Sequence, residues 1–156
     1  MLELKGYKIE KSEKCKSEES SYLLTAENKK IAEVPGHVLE AFFRLKDDRY
    51  LVLLTDNLPY EECLHIVLLD SQYCMLDQVD IYQAYTSGIL SNVKILGDFE
   101  LVVDFLENQQ FHVMIAVSPS YSIRRIYTSD PIHYARRFNK CYLTVNYTKS
   151  IGGEYG

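Results

Sequence analysis

A short acidic segment with one histidine holds the residues of this chain that are most capable of chemistry. It covers residues 55–66 and lies between two apolar stretches. Asp56, Glu61 and Glu62 are carboxylates of the kind that exchange protons in general acid–base catalysis, and His65 ordinarily titrates near neutral pH. Two chemistries follow from these residue types: a carboxylate pair assisted by a histidine, or an oxygen-ligand site for a divalent cation.

The spacing argues against both chemistries. Adjacent residues of an extended segment point to opposite sides, so Glu61 and Glu62 do not face one reacting centre. The segment lacks the regular acidic spacing of a calcium loop, and the chain has no Cys-x-x-Cys pair. We therefore predict no catalytic residue, no metal site and no cofactor, and we expect His65 to be a buried, hydrogen-bonded histidine.

The same segment fits a loop that binds a protein partner. Tyr60 is flanked by carboxylates, and an aromatic ring among acidic side chains is a suitable anchor for a cationic surface. The charged turn 46–49 supplies further acids. The predicted partner-binding residues are Asp47, Asp48, Asp56, Tyr60, Glu61 and Glu62. The alternative is that 56–62 is a solvated loop between strands.

Period-two alternation recurs through the chain and predicts β-strands around these residues. The segment 63–69 is apolar on both faces apart from His65, as a central strand is. Segments 93–96, 99–106 and 111–117 are predicted strands separated by turn residues, and three antiparallel strands in sequence form a meander. We predict an all-β fold, an antiparallel β-sandwich or partly open barrel of about nine or ten strands with meander hairpins.

The chain of 156 residues is expected to form one domain. The predicted β core covers 37–148, with a peripheral strand and loops over 1–36 and a frayed tail over 149–156. A loose echo of 45–52 at 96–102 favours propeller blades as an alternative, but a chain of this length does not hold enough blades to close a ring.

The charge is unevenly distributed. The net charge is −5, but residues 50–123 carry ten acids against Lys94, and residues 124–156 carry six bases against two acids. An acidic chain disfavours nucleic acid as the partner. The four basic residues Arg124, Arg125, Arg136 and Arg137 lie among tyrosines, which fits phosphate and base binding. Pairing with the central carboxylates is the interpretation we favour.

The cysteines and the apolar runs bear on the compartment. A tight turn at Ser71-Gln72 predicts a register in which Cys63 lies opposite Asp80 and Cys74 opposite Leu69, so these two do not form a disulfide. We expect free thiols in a reducing compartment. The amino terminus lacks the pattern of a signal peptide, and no apolar run is long enough to cross a bilayer. We therefore predict a cytoplasmic protein without a membrane partner.

The segment Leu51–Asp70, with its Thr-Asp, Pro-Tyr-Glu-Glu and Leu-His-Ile core, resembles a family of small bacterial β-domain proteins of uncharacterised function. The resemblance covers about 40–117 and implies no activity. By general type the chain also resembles the immunity proteins of bacterial contact-dependent and polymorphic toxin systems. That likeness implies a non-enzymatic protein that binds and neutralises a basic, nuclease-like toxin domain through an acidic surface. The alternative is a ligand-binding β-barrel or small enzyme with a tyrosine-lined pocket.

Overall fold

The computed structural model describes residues 1–12, 20–58, 60–107, 109–122, 125, 130–135 and 140–149. Within these ranges the chain forms thirteen β-strands. They are β1 (Leu2–Glu3), β2 (Lys8–Lys11), β3 (Ser20–Leu24), β4 (Lys30–Pro35), β5 (Val38–Arg44), β6 (Tyr50–Thr55), β7 (Leu64–Leu69), β8 (Met75–Ile81), β9 (Ser91–Gly97), β10 (Glu100–Phe105), β11 (Gln109–Ser120), β12 (Ile132–Tyr134) and β13 (Cys141–Lys149).

The strands form three antiparallel sheets. The central sheet has six strands in the order β1-β5-β6-β7-β8-β12. A four-stranded sheet, β13-β11-β10-β9, contains the predicted meander, and a three-stranded sheet is ordered β2-β3-β4. The predicted all-β antiparallel sandwich is confirmed, and in the described part of the chain the sheets do not close into a barrel.

Each face of the central sheet packs on another sheet, which makes three layers. Leu51 and Leu53 of β6 face the core shared with the four-stranded sheet, whereas Val52 and Leu54 face the core shared with the three-stranded sheet. All six residues of β7 are buried, and β7 pairs with β6 and β8. The prediction that this strand is central is therefore confirmed.

The amino-terminal region differs most from its prediction. Residues 1–36 were expected to form one peripheral strand and loops, but they contain β1 to β4, and β2, β3 and β4 form the third layer. β1 and β2 are separate strands, and Gly6 adopts a φ of +84° between them. The outer face of this small sheet is polar, so its strands carry few apolar residues and were not recognised from the sequence.

The β7–β8 hairpin has a different register from the predicted one. Its loop contains Ser71, Gln72 and Tyr73, with Tyr73 at a φ of +64°, and the Asp70 N–H donates to the Cys74 carbonyl at 2.8 Å. His65 therefore lies opposite Asp80, the position predicted for Cys63. Cys63, Cys74 and Cys141 are present as thiols, as predicted; Cys15 lies outside the described residues. The described residues include no helix that would span a bilayer.

Candidate functional site

In the loop between β6 and β7, residues 56–63, one side-chain carboxylate accepts hydrogen bonds from several backbone N–H groups. Glu62 Oε1 accepts the backbone N–H of Asp56 at 2.6 Å, of Asn57 at 3.1 Å and of Cys63 at 3.2 Å. Its Oε2 accepts the N–H of Leu58 at 3.1 Å. Because hydrogen bonds to a charged acceptor are the strong ones, Glu62 fixes the path of the loop. Its side chain is only 8% exposed.

A histidine between two carboxylates fastens the loop to the central sheet. His65 Nε2 lies 2.8 Å from Asp56 Oδ1, and His65 Nδ1 lies 2.8 Å from Asp80 Oδ1. Only an imidazolium donates from both ring nitrogens, so His65 is protonated. Burial lowers the pKa of His65, but the hydrogen bonds to Asp56 and Asp80 outweigh burial and raise the pKa to about 12. The expected buried, hydrogen-bonded histidine is confirmed.

These protonation states do not suit acid–base or nucleophilic chemistry. A histidine with a pKa of about 12 does not exchange its proton near neutral pH. Cys63 Sγ lies 3.7 Å from His65 Nδ1, but burial raises the pKa of Cys63, so the thiol stays protonated. The two carboxylates neutralise the positive charge that would otherwise favour a thiolate.

The same cluster contains three residue types that bind metals. Donor atoms of Asp56, Cys63 and His65 all lie within 4.8 Å of one another. However, Asp56 contacts Nε2 of His65, whereas Cys63 lies beside Nδ1. An ion bound to one ring nitrogen lies on that side of the ring, and it would also have to displace a proton from a strongly basic group. The geometry favours a hydrogen-bonded cluster over a metal centre.

The six predicted partner-binding residues lie at two separate ends of β6. Asp47 and Asp48 belong to the β5–β6 turn, while the other four lie in the 56–63 loop. Six residues of strand separate the groups, a distance of roughly 20 Å. The predicted partner-binding residues therefore fall into two groups, one at each end of β6.

The acids of the β5–β6 turn form local ion pairs. Arg49 Nε donates to Asp47 Oδ2 at 2.8 Å, and Arg44 Nη2 donates to Asp48 Oδ1 at 2.5 Å. Arg49 also donates to the Ala116 carbonyl at 2.9 Å, which links this turn to the four-stranded sheet. The charged side chains of Asp47 and Asp48 therefore contribute to the structure of this turn.

Within the 56–63 loop the side chains divide into an inward and an outward group. Asp56 and Glu62 face inward and bind His65 and the loop backbone. Leu58, Tyr60 and Glu61 face outward, and Tyr60 is 81% exposed. As predicted from their adjacency, Glu61 and Glu62 point to opposite sides. Pro59 lies outside the described residues.

Asp77, another of the ten acids in residues 50–123, forms a buried ion pair. Arg125 Nη1 and Nη2 donate to Asp77 Oδ1 and Oδ2 at 2.8 and 2.6 Å, and both side chains are buried. Asp77 also accepts the backbone N–H of Leu143 at 2.9 Å, so it joins β8 to β13. Internal pairing is confirmed for Arg125. The other three predicted arginines, Arg124, Arg136 and Arg137, lie outside the described residues.

Sequence reasoning missed Asp77 and Asp80 as partners of these cations. The hairpin register would have indicated Asp80, but the register depends on Tyr73, a loop residue with a left-handed backbone.

Comparison with models of known protein families, with curated proteins and with solved structures finds no match for this chain. The function is therefore argued from the geometry.

Proposed function

We propose that this protein is a non-enzymatic interaction protein that binds a basic protein partner through the 56–63 loop. By type it is an immunity protein that neutralises a bacterial toxin domain. The observation that carries the proposal is that a loop fixed from within exposes Leu58, Tyr60 and Glu61. The protonation states of the His65 cluster favour binding over catalysis.

The loop has the properties of a binding anchor. Tyrosine is enriched among the residues that contribute most to protein–protein affinity, and Tyr60 stands 81% exposed beside the partly exposed Leu58. A flexible loop would lose conformational entropy on binding. Here the bonds to Glu62 and the bond between Asp56 and His65 already hold residues 56–58 and Cys63, so less of that loss remains.

Charge supports a basic partner. Residues 50–123 carry ten acids against Lys94. Several of these acids, among them Glu62 and Asp77, face inward. The exposed negative charge of the 56–63 loop is therefore that of Glu61. Complementary charge speeds association and selects the partner, and a nuclease-like toxin domain presents a cationic cleft. The proposal therefore narrows the predicted contact set to Tyr60 and Glu61, with Leu58 added.

The test is calorimetric binding of this protein to the toxin domain encoded by the neighbouring gene. We expect Tyr60→Ala to weaken binding about 30-fold, which corresponds to about 2 kcal/mol. Glu61→Gln should weaken it less and reduce its salt dependence. Tyr85→Ala is the matched control, because Tyr85 is 92% exposed and lies outside the loop.

Two results would contradict the proposal. One is the absence of binding to that domain together with the absence of protection in cells that produce it. The other is an equal effect of Tyr60→Ala and Tyr85→Ala, which would move the contact surface away from the 56–63 loop.

A further inference from the structure

A polar cleft lies at one end of the four-stranded sheet. Its volume is about 510 Å³, within the range of about 300–1,000 Å³ of small-molecule sites. Seven of its nine lining residues are polar, and five of those seven are neutral. The neutral ones are Ser87, Ser91, Asn92, Gln110 and Thr148, the acids are Asp104 and Glu107, and the apolar ones are Ile89 and Phe105.

The floor of the cleft is a row of polar side chains across all four strands. Asp104 of β10 pairs with Ser91 of β9 and with Gln110 of β11, and Gln110 pairs with Thr148 of β13. Neighbouring strands lie about 4.8 Å apart, so the row spans roughly 14 Å. It is on the solvent side of the sheet, because alternate residues such as Leu101 and Val103 are buried in the core.

Hydrogen bonds fix the central carboxylate of this row. Asn92 Nδ2 donates to Asp104 Oδ2 at 2.8 Å, and Gln110 Nε2 donates to Asp104 Oδ1 at 3.2 Å. The two amides partly compensate the charge of Asp104 and keep their own carbonyl oxygens as acceptors. The three hydroxyl side chains of the lining both donate and accept. The cleft therefore offers mixed donors and acceptors around one fixed carboxylate.

The wall of the cleft is seated closely on β10. A Cβ at Gly88 would lie 2.6 Å from the Phe105 ring, so the segment that carries Ser87 and Ile89 approaches this closely because residue 88 is glycine. The neighbouring Ile89 is 83% exposed and supplies an apolar surface beside the polar floor.

We propose that this cleft binds a neutral carbohydrate of one or two sugar rings. Neighbouring sugar hydroxyls donate to Asp104, and such bonds to a charged acceptor are the strong ones. Other hydroxyls exchange hydrogen bonds with Ser91, Gln110 and Thr148, while the C–H face of the ring covers Ile89. The lining of the cleft includes no residue of the 56–63 loop.

The experiment titrates the full-length protein with glucose, galactose, mannose, maltose and lactose, and follows backbone amide shifts by NMR. We expect at least one sugar to give saturable shifts at residues 87–92 and 104–110, with a Kd of about 1 mM. Asp104→Asn should weaken that binding at least tenfold. Asp98→Asn, at the opposite end of the same hairpin, is the matched control and should leave the Kd unchanged.

A second variant, Ser87→Tyr, fills the cleft without changing Asp104 and should also abolish the shifts. The proposal would be overturned if none of the five sugars gave saturable shifts. It would equally be overturned if spermidine alone bound, which would indicate a cation site, or if Asp104→Asn and Asp98→Asn had the same effect.

Discussion

His65 carries a positive charge in the folded protein because each of its ring nitrogens contacts a carboxylate. Burial lowers the pKa of His65, but these hydrogen bonds outweigh burial and raise the pKa from its ordinary value of 6.5 to about 12. A raised pKa stabilises the fold fully below pH 6.5, and this contribution is lost as the pH rises towards 12. Folding takes up one proton in that window, so we expect the free energy of unfolding to fall by about 1.4 kcal/mol per pH unit.

Urea unfolding at several pH values between 7.0 and 8.5 measures this dependence. The wild-type free energy of unfolding should decrease more steeply with pH than that of His65→Gln, whose side chain does not titrate. In the wild type, the NMR shifts of the His65 ring should remain those of an imidazolium up to pH 9. A midpoint near 6.5 would show that the two carboxylates do not hold the proton.

Single-residue environments could be predicted where they depend on local pattern. A histidine in an apolar strand is generally buried and hydrogen-bonded, and His65 is both. Its partner Asp80 could not be predicted, because a three-residue loop with a left-handed Tyr73 sets the register. Asp77 and Arg125 are 48 residues apart in sequence. The charge distribution therefore predicted that arginines pair with central carboxylates, but it did not identify which two residues form the pair.

At the scale of the element, the 56–63 loop depends on Glu62 and not on its neighbour Glu61. The Glu62 carboxylate accepts four backbone N–H groups, whereas the Glu61 side chain is exposed. In Glu62→Gln an NH₂ group replaces one acceptor oxygen, so at least one part-buried backbone N–H faces another donor and the charge-assisted bonds are lost. We expect this change to lower the free energy of unfolding by about 1–3 kcal/mol.

The comparison with Glu61→Gln tests this assignment, since the same substitution at an exposed site should change stability by less than about 0.5 kcal/mol. Hydrogen exchange gives a local measurement. The amides of Asp56, Asn57 and Leu58 should exchange faster in Glu62→Gln and at the wild-type rate in Glu61→Gln. Equal effects of the two substitutions would mean that Glu62 does not hold the loop.

For the whole molecule, the three-layer architecture could be predicted only in part. The apolar β7 indicated a strand buried on both faces, and such a strand needs a cover on each side. The sequence did not show what forms the second cover. Residues 1–36 were predicted as one peripheral strand and loops because their small sheet has a polar outer face and contributes few buried residues, among them Leu23 and Val34.

Two adjacent leucines of β6 test the three layers directly. Leu53 and Leu54 are fully buried, but Leu53 faces the four-stranded sheet and Leu54 faces the three-stranded sheet. Because each side chain enters a different close-packed core, Leu53→Ala and Leu54→Ala should each lower the free energy of unfolding by about 2–5 kcal/mol in urea denaturation. A two-layer sandwich would leave one of the two leucines at the surface, where its loss would change the free energy of unfolding little.

Ile95→Ala on the exposed strand β9 is the control and should lower the free energy of unfolding much less. A cost below about 0.5 kcal/mol for Leu54→Ala would mean that the amino-terminal sheet does not cover this face.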